Sequence, residues 1–426
     1  MKTIKFYTLG CKVNQYDTQE IRERFLERGF KEINNGAKAD VYVVNTCTVT
    51  HKADADSLGA VRKAVRENPR AKIIVTGCLA ELDRSRIAKI PGVTRIIKNS
   101  QKGRIIEVLN SFDLRPTTYN LRAQKGISRF DGHTRAFLKI QDGCNNLCSY
   151  CKVPLVRGES KSKPLSQIGL EAERLANNNF KEIVLCGICL GSFGKDLKPA
   201  KTLVDAINVL EGIEGILRIR LSSIEAADVT DGLIAKLAES KKLCRHLHIP
   251  IQSGDDEILK KMNRRYTRAQ YLDLIKKIKK RIPAIAITTD VLVGFPGESE
   301  NNFQNTLDLV REIVPLKVHI FPYSRREATF AARKFGAQVN PEIIQKRFAR
   351  LKATADRCSI ACKKMLLKRG TDVLMESPSK EHPGFWEGYT DNYVKVLVKP
   401  KGKVNLNNRL IPLKIKRIRE NSVVGI

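Results

Sequence analysis

Between Ala136 and Ser324 the sequence repeats one unit six times, a short apolar run of strand type followed by a helical stretch. The runs are AFLKIQDG, EIVLCGI, ILRIRLSS, HLHIPIQ, AITTDVLVGFP and VHIFPYS. Between them lie helical patterns such as LVDAINVLEGI, DGLIAKLAES, RAQYLDLIKKIKK and ENNFQNTLDLVREI. Six β/α units in series predict an open or partial barrel, with function at the C-terminal ends of its strands.

The flanks follow other rules. At 426 residues the chain is too long for one typical domain, so two or three are expected. Before the repeats, IKFYTLG, ADVYVVNTC, AKIIVTGC and VTRIIK alternate with polar helical stretches, which predicts a small α/β sheet of parallel strands. LRPTTYNLRAQKGISRFDGHTR then reads as a linker. After the repeats, a helix from about Pro341 to Arg369 carries nine Lys/Arg against two acids, more than a solvated face requires. From Gly370 the pattern turns to β type (TDVLMES, YVKVLVK, RLIPLKIKRI), of a length that suits a small antiparallel barrel.

Lys and Arg outnumber Asp and Glu by 77 to 45, a net charge of +32. A polyanionic partner, nucleic acid above all, accounts for that excess better than a general basic bias. No stretch approaches the roughly 18 apolar residues that cross a bilayer, and no basic amphipathic anchor stands out. The opening MKTIKFYTLGCK lacks the apolar region of a signal peptide, so a cytoplasmic location is expected. There, eleven cysteines are metal ligands or buried small residues rather than disulfides.

Three of them crowd the stretch DGCNNLCSYC, where Cys144, Cys148 and Cys151 stand at C-x3-C-x2-C just after the first barrel strand. Structural zinc takes four closed ligands, and no His or Cys follows Cys151 at short range. A [4Fe–4S] cluster is usually held by four thiolates; three would leave one iron open to a substrate or cofactor. Cys11, Cys47 and Cys78 are far apart in sequence but alike in setting: YTLGC, VVNTC and IVTGC each end an expected strand. In a parallel sheet those ends share one edge, so three thiols can converge there.

With KVPLVRG following it, the close motif resembles the radical S-adenosylmethionine (SAM) superfamily. The two cysteine sets together, with HLHIPIQSGDDEILKKMNRRYT, TTDVLVGFPGESENNF, HIFPYSRREAT and GYTDNY, closely resemble the methylthiotransferase family within it, over nearly the whole chain. The resemblance implies an α/β protein in four segments: a Rossmann-like N-terminal methylthiotransferase domain (1–113), a linker (114–129), a radical SAM partial (β/α)6 barrel (130–360) and a TRAM RNA-binding barrel (361–426). It implies two [4Fe–4S] clusters. The Cys144/Cys148/Cys151 cluster binds SAM and generates a 5′-deoxyadenosyl radical; the Cys11/Cys47/Cys78 cluster presents the sulfur. An electron donor of flavodoxin or ferredoxin type is implied, and the sulfur donor is left open.

Within the family, TLGCKVNQYDTQE around Cys11, with Lys12, Val13 and Asn14, resembles the branch acting on N6-threonylcarbamoyladenosine (t6A) in tRNA, at position 37 beside the anticodon. HKADADS and FPYSRRE point the same way. The alternatives are the isopentenyl-adenosine branch, the branch that modifies a ribosomal protein and, outside enzymes, a zinc-stabilised RNA-binding protein. An anticodon loop offers unstacked bases to aromatic and basic side chains, and Trp386, Tyr389 and Tyr393 beside Lys395 supply both; some of these rings are expected in the barrel core and at most one or two against RNA. Leu155, Cys186 and Cys189 depart from the family pattern, which usually has Tyr, Thr and His or Asn there. Glu225, Gln252, Ser253 and Asp290 are candidate SAM contacts at strand ends. His246 and His248 share a strand face without a third ligand nearby in sequence, and Cys244, Cys358 and Cys362 read as structural.

Overall fold

The structure, a computed structural model, describes every residue except 1, 34–35, 106, 108–125, 368, 403, 420–421 and 426. Most of the expected linker therefore lies outside the described residues. Among those described, no helix is long and apolar enough to cross a membrane.

The N-terminal sheet contains β1 (Thr3–Thr8), β2 (Lys31–Glu32), β3 (Val41–Thr46), β4 (Lys72–Gly77) and β5 (Val93–Ile96) in the order β2-β1-β3-β4-β5. All its pairings are parallel. Every residue of β3 is buried, as expected of a parallel strand covered on both faces. Val41 and Val43 join Ile21 and Phe25 of α1 (Lys12–Leu26) on one side. Tyr42 and Val44 join Leu58 and Val61 of α2 (His51–Glu67) on the other. The strand order reverses between β1 and β3, and in doubly wound sheets ligands sit outside the strand ends at that point.

The six repeats become β6 (Ala136–Lys139), β9 (Glu182–Cys186), β10 (Arg218–Leu221), β11 (His246–His248), β12 (Ala286–Val293) and β13 (Lys317–Pro322). The short strands β7 (Gln141–Asp142) and β8 (Lys161–Ser162) pair beside the cysteine loop. Two parallel three-stranded sheets, β10-β9-β6 and β11-β12-β13, meet through the bridges Ile219↔Leu243 and Ser223↔His248. Alternation along the strands sends Ile183, Leu185, Ile219 and Leu221 into the main core. By register Phe137, Lys139, Cys186, Arg220, His246 and His319 stand on the other, lumenal side of the strands, where Phe137 and Cys186 continue the same core. The barrel is open between β6 and β13, and α1 packs along β6 at that opening.

From Gly370 a closed barrel forms in the order β14-β15-β16-β18-β17. It holds five strands, two more than the patterning indicates. Trp386–Thr390 (β15) lies in the aromatic stretch before YVKVLVK and is not read from the sequence as a strand of its own, and Val423–Gly425 (β18) is too short to show a period; β14 (Gly370–Pro378), β16 (Lys395–Val398) and β17 (Leu410–Ile418) match expectation. Arginines of β10 carry the docking of this barrel on the six-stranded one. Arg218 donates to the carbonyls of Tyr389 and Asp372, and Arg220 to those of Thr390 and Asp391. The basic helix is continuous over Pro341–Lys364 and so runs through residue 360, where the sequence places a boundary.

Candidate active site

Cys144, Cys148 and Cys151 lie in the loop that leaves β6 and β7. Their sulfurs already act as acceptors. The Asn146 amide lies 3.4 Å from Cys144 Sγ, the Val153 amide 3.4 Å from Cys151 Sγ, and Arg264 Nη1 3.2 Å from Cys148 Sγ. Burial pushes the Cys151 thiol up to about 11 and raises Cys148. The Cys144 thiol is raised too, first by its hydrogen bond to Cys189 and then by burial. A bound metal reverses that balance, because a coordinating thiol is deprotonated outright. Three sulfurs in one loop, each with a donor beside it, fit a thiolate-held iron–sulfur group.

The second set comes from three neighbouring strand ends. Cys11 caps α1 after β1, Cys47 follows β3, and Cys78 opens the helix α3 (Cys78–Leu82) after β4. They straddle the point where the strand order reverses. Close approach there depends on two glycines with left-handed backbones. Gly10 has φ +98°, and a Cβ on it would stand 2.9 Å from both Cβ and Sγ of Cys47. Gly77 has φ +97°, and a Cβ would stand 2.4 Å from the Thr46 carbonyl. Burial pushes Cys78 up to about 11 and raises Cys47, with the neighbouring thiols adding to both, while Cys11 is exposed. Two inward thiols and one at the mouth fit a group that stays reachable from one side.

Between the two sets stands Arg157, its side chain 1% exposed. It donates to Asp142 at 2.8 Å and to Asn14, and lies 3.4 Å from Asp17. Burial by itself would raise the Asp17 pKa; Lys102, Lys139 and Arg157 together override it and hold that carboxyl lowered. Asp17 is on α1, Lys139 on β6 and Arg157 beyond the cysteine loop, so one ionic knot seats both cysteine sets. Neither Asp17 nor Arg157 announces this in sequence, although Arg157 stands inside KVPLVRG.

Of the candidate SAM contacts, Glu225 lies nearest the close cysteines. It accepts from Asn146 and pairs with Arg264 at 3.4 Å and Arg265 at 3.5 Å. Asp290 pairs with His248 at 3.2 Å, and its carbonyl accepts from the Gln252 amide. Gln252 itself has φ +65°. Ser253 is fully buried and faces Thr306 on the helix Glu300–Ile313, behind the pocket wall. Arg264 and Arg265 lie within the family-like stretch MNRRYT; their identity as cysteine-loop partners needed the fold.

Cys189 falls beside Cys144 and contacts Asn146 and Ser192. Its hydrogen bond to Cys144 lowers its own thiol to about 7. Cys186 is fully buried, its thiol raised by desolvation. Leu155 is solvent-exposed. Cys358 and Cys362 donate to carbonyls of Val310 and Val314, a packing role. His246 and His248 both reach Thr288 Oγ1 at 2.9 Å. His248 has further partners that its strand does not show: Asp290 and His319 come together with it closely enough to hold a metal ion. Tyr389 and Tyr393 turn toward the six-stranded barrel. Tyr393 stacks near His246 (4.8 Å between centroids) and under Arg220 (4.5 Å) and Arg135 (5.2 Å), flooring the lumen. Those two rings are engaged inside the protein, as expected of some of the three.

Comparison with known proteins follows the same outline. Residues 138–310 match the model of the radical SAM superfamily, and residues 3–98 that of uncharacterized protein family UPF0004. The threonylcarbamoyladenosine tRNA methylthiotransferase MtaB of Bacillus subtilis is 37% identical over 97% of this chain and 94% of its own. The Thermotoga maritima protein of the same name is 35% identical over 93% and 91%. A tRNA-2-methylthio-N(6)-dimethylallyladenosine synthase of Clostridium botulinum is 36% identical over 88% and 86%. Among solved structures, the radical SAM methyltransferase TsrM of Kitasatospora setae, with cobalamin and a [4Fe–4S] cluster bound, shares the fold at a TM-score of 0.55. It is 14% identical over 78% of this chain and 77% of that one. With both sets of cysteines in place and relatives matched almost end to end, the chain belongs to the methylthiotransferase family of radical SAM enzymes, whose cofactors are [4Fe–4S] clusters and SAM.

Proposed function

We propose that this enzyme adds a methylthio group to C2 of N6-threonylcarbamoyladenosine at tRNA position 37, giving 2-methylthio-t6A. The observation that carries the reaction type is the pairing of the two cysteine sets across the Arg157 knot, at one opening of one barrel; the t6A nucleoside is supported by the stretch around Cys11 and the MtaB relatives. Sulfur insertion at a C–H bond needs a group that removes hydrogen and a separate source of sulfur within reach of the same carbon. In this reading Cys144, Cys148 and Cys151 hold one cluster, and Cys11, Cys47 and Cys78 hold the other. When bound, the clusters and SAM supply the electron, the hydrogen-abstracting fragment and the sulfur.

The chain's own side chains do the rest. Arg264, pointing at Cys148 Sγ, stabilises negative charge on that sulfur. Glu225, held by Asn146, Arg264 and Arg265, offers a fixed carboxylate to the amino group or ribose of SAM, with Asp290 and the Gln252 turn on the facing strands. Arg157 keeps the two cysteine sets in register, and because α1 closes the barrel's open side it also keeps water from the reacting groups. The segment divisions at 113, 129 and 360 go with this assignment, as do tRNA and a flavodoxin- or ferredoxin-type reductant as partners. The net charge of +32 supports the RNA partner.

The C. botulinum relatives keep a second reading in view, the isopentenyl-adenosine nucleoside. Nucleoside mass spectrometry of tRNA from a deletion strain separates the two. Loss of 2-methylthio-t6A with 2-methylthio-isopentenyladenosine intact is expected; the reverse pattern overturns the t6A assignment.

A further inference from the structure

We propose that Lys12 is the residue that selects the substrate, by pairing with the carboxylate of the threonylcarbamoyl group. This deepens the t6A reading and rests on it. Lys12 is the first residue of α1, immediately after Cys11, and is half-buried where α1 closes the barrel. Its ammonium lies 5.9 Å from the centroid of the Phe137 ring, on the lumenal face of β6. Its charge also acts on His246 of β11, His319 of β13, Cys186 of β9 and Tyr393 of the C-terminal barrel.

Three cations on the lumenal face are matched, while Lys317, exposed at the start of β13, has no ion-pair partner among the described residues. Lys139 is paired with Asp17 and Asp142. Arg135 is paired with Glu376, and Arg220 with Glu182. The lumenal acids are thereby consumed, and Asp290 is held by His248. Lys12 has no ion-pair partner among the described residues; the Phe137 ring is its one polar-to-aromatic contact. His246 and His319 do not substitute for it, since burial first and nearby cations second hold both below the ordinary histidine value and keep them neutral.

Helix energetics make this placement costly. A cation in the first turn of a helix opposes the macrodipole, and α1 carries no acidic residue there to offset it. An unpaired charge half removed from water costs further. Both costs vanish when an anion enters the lumen. The threonine carboxylate is the one negative charge on the modified base of t6A, and a dimethylallyl group carries none. A lysine in this place therefore rewards the first substrate and leaves an unpaired buried charge against the second.

The test uses the full-length protein and anticodon stem-loops that carry t6A, its threoninamide analogue or isopentenyl-adenosine. Wild type is expected to bind the acid about 10- to 100-fold more tightly than the amide, the range for a hydrogen bond to a charged group. Lys12→Gln should erase that acid-to-amide ratio, whichever way overall binding moves; Lys12→Arg should keep most of it. Because the ratio is taken within each variant, a general loss of folding or of iron lowers both terms and does not mimic the effect. A Lys12→Gln protein that still prefers the acid by the wild-type ratio overturns the assignment while the t6A reading stands. A wild type that favours isopentenyl-adenosine over both overturns the t6A reading, and the Lys12 assignment with it.

Discussion

The two cysteine sets do similar work by opposite means. Cys144, Cys148 and Cys151 share one loop of eight residues, so their convergence is largely a property of the local chain. Cys11, Cys47 and Cys78 come from three strand ends and meet only because β1, β3 and β4 lie side by side in parallel. A local site tolerates strain elsewhere in the molecule. A distributed site is only as sound as the sheet that assembles it.

The sharpest way to break that comparison is to remove one set at a time. Replacing Cys144, Cys148 and Cys151 with Ala should abolish SAM cleavage yet leave about four irons per chain. Cys47→Ala should do the converse: 5′-deoxyadenosine still forms, and no methylthiolated tRNA appears. Iron analysis with nucleoside mass spectrometry reads both. Full methylthiolation by Cys47→Ala would end the two-cluster account.

Arg157→Met probes what the two sites share. Deleting one partner of a buried ionic knot costs up to about 3–5 kcal/mol; Asp142 loses its 2.8 Å partner, but Lys102 and Lys139 still hold Asp17, so a loss at or below the low end is expected. Denaturant unfolding should show that loss, and the N-terminal set should lose iron before the close set does. An unchanged midpoint would mean that the knot does not hold the two together.

Smaller, but specific to the distributed site, is Gly10→Ala. A side chain at φ +98° is strained, and its Cβ would press on Cys47. A cost of about 1–3 kcal/mol is expected, with iron lost at the N-terminal set alone. Gly143→Ala is the matched control: at φ +73°, its Cβ would meet the Glu159 carbonyl beside Cys144, and the loss should fall on the other set.

The gentlest test is acid. Asp17 and Glu182 are both buried, and their basic partners overcome that burial to hold their pKa values lowered. A carboxyl depressed in the folded state contributes its full stabilisation above about pH 4, its unfolded range, and loses it as pH falls toward the folded value. The contribution of these two carboxyls should therefore be flat from pH 7 to 5; a fall in that window belongs to His246 and His319, whose lowered values leave the unfolded chain to take up the extra protons. Below pH 4 the carboxyl contribution should fall by at most about 1.4 kcal/mol per pH unit for each such group. Asp17→Asn, measured by thermal unfolding across that range, should flatten part of the fall.

What the sequence by itself determined was whatever depends on neighbours along the chain. Six strand-and-helix periods, the C-x3-C-x2-C loop and the strand-end position of Cys11, Cys47 and Cys78 are short-range patterns, and each reappears in the fold. The aromatic stretch at Trp386–Tyr393 is legible as β-forming, but its direction is not. Tyr393 turns inward because Arg135 and Arg220, more than 150 residues earlier, present cations to its ring. His248 reads as half of a pair with His246, yet its partners Asp290 and His319 come from the next two strands. Likewise, nothing near Lys12 in sequence tells that Asp17 is taken by Lys102, Lys139 and Arg157, and so is lost to Lys12 as a partner. Charge pairing is a competition over the whole interior. Only the tertiary structure, by placing α1 against β6, decided which cation was left for the substrate.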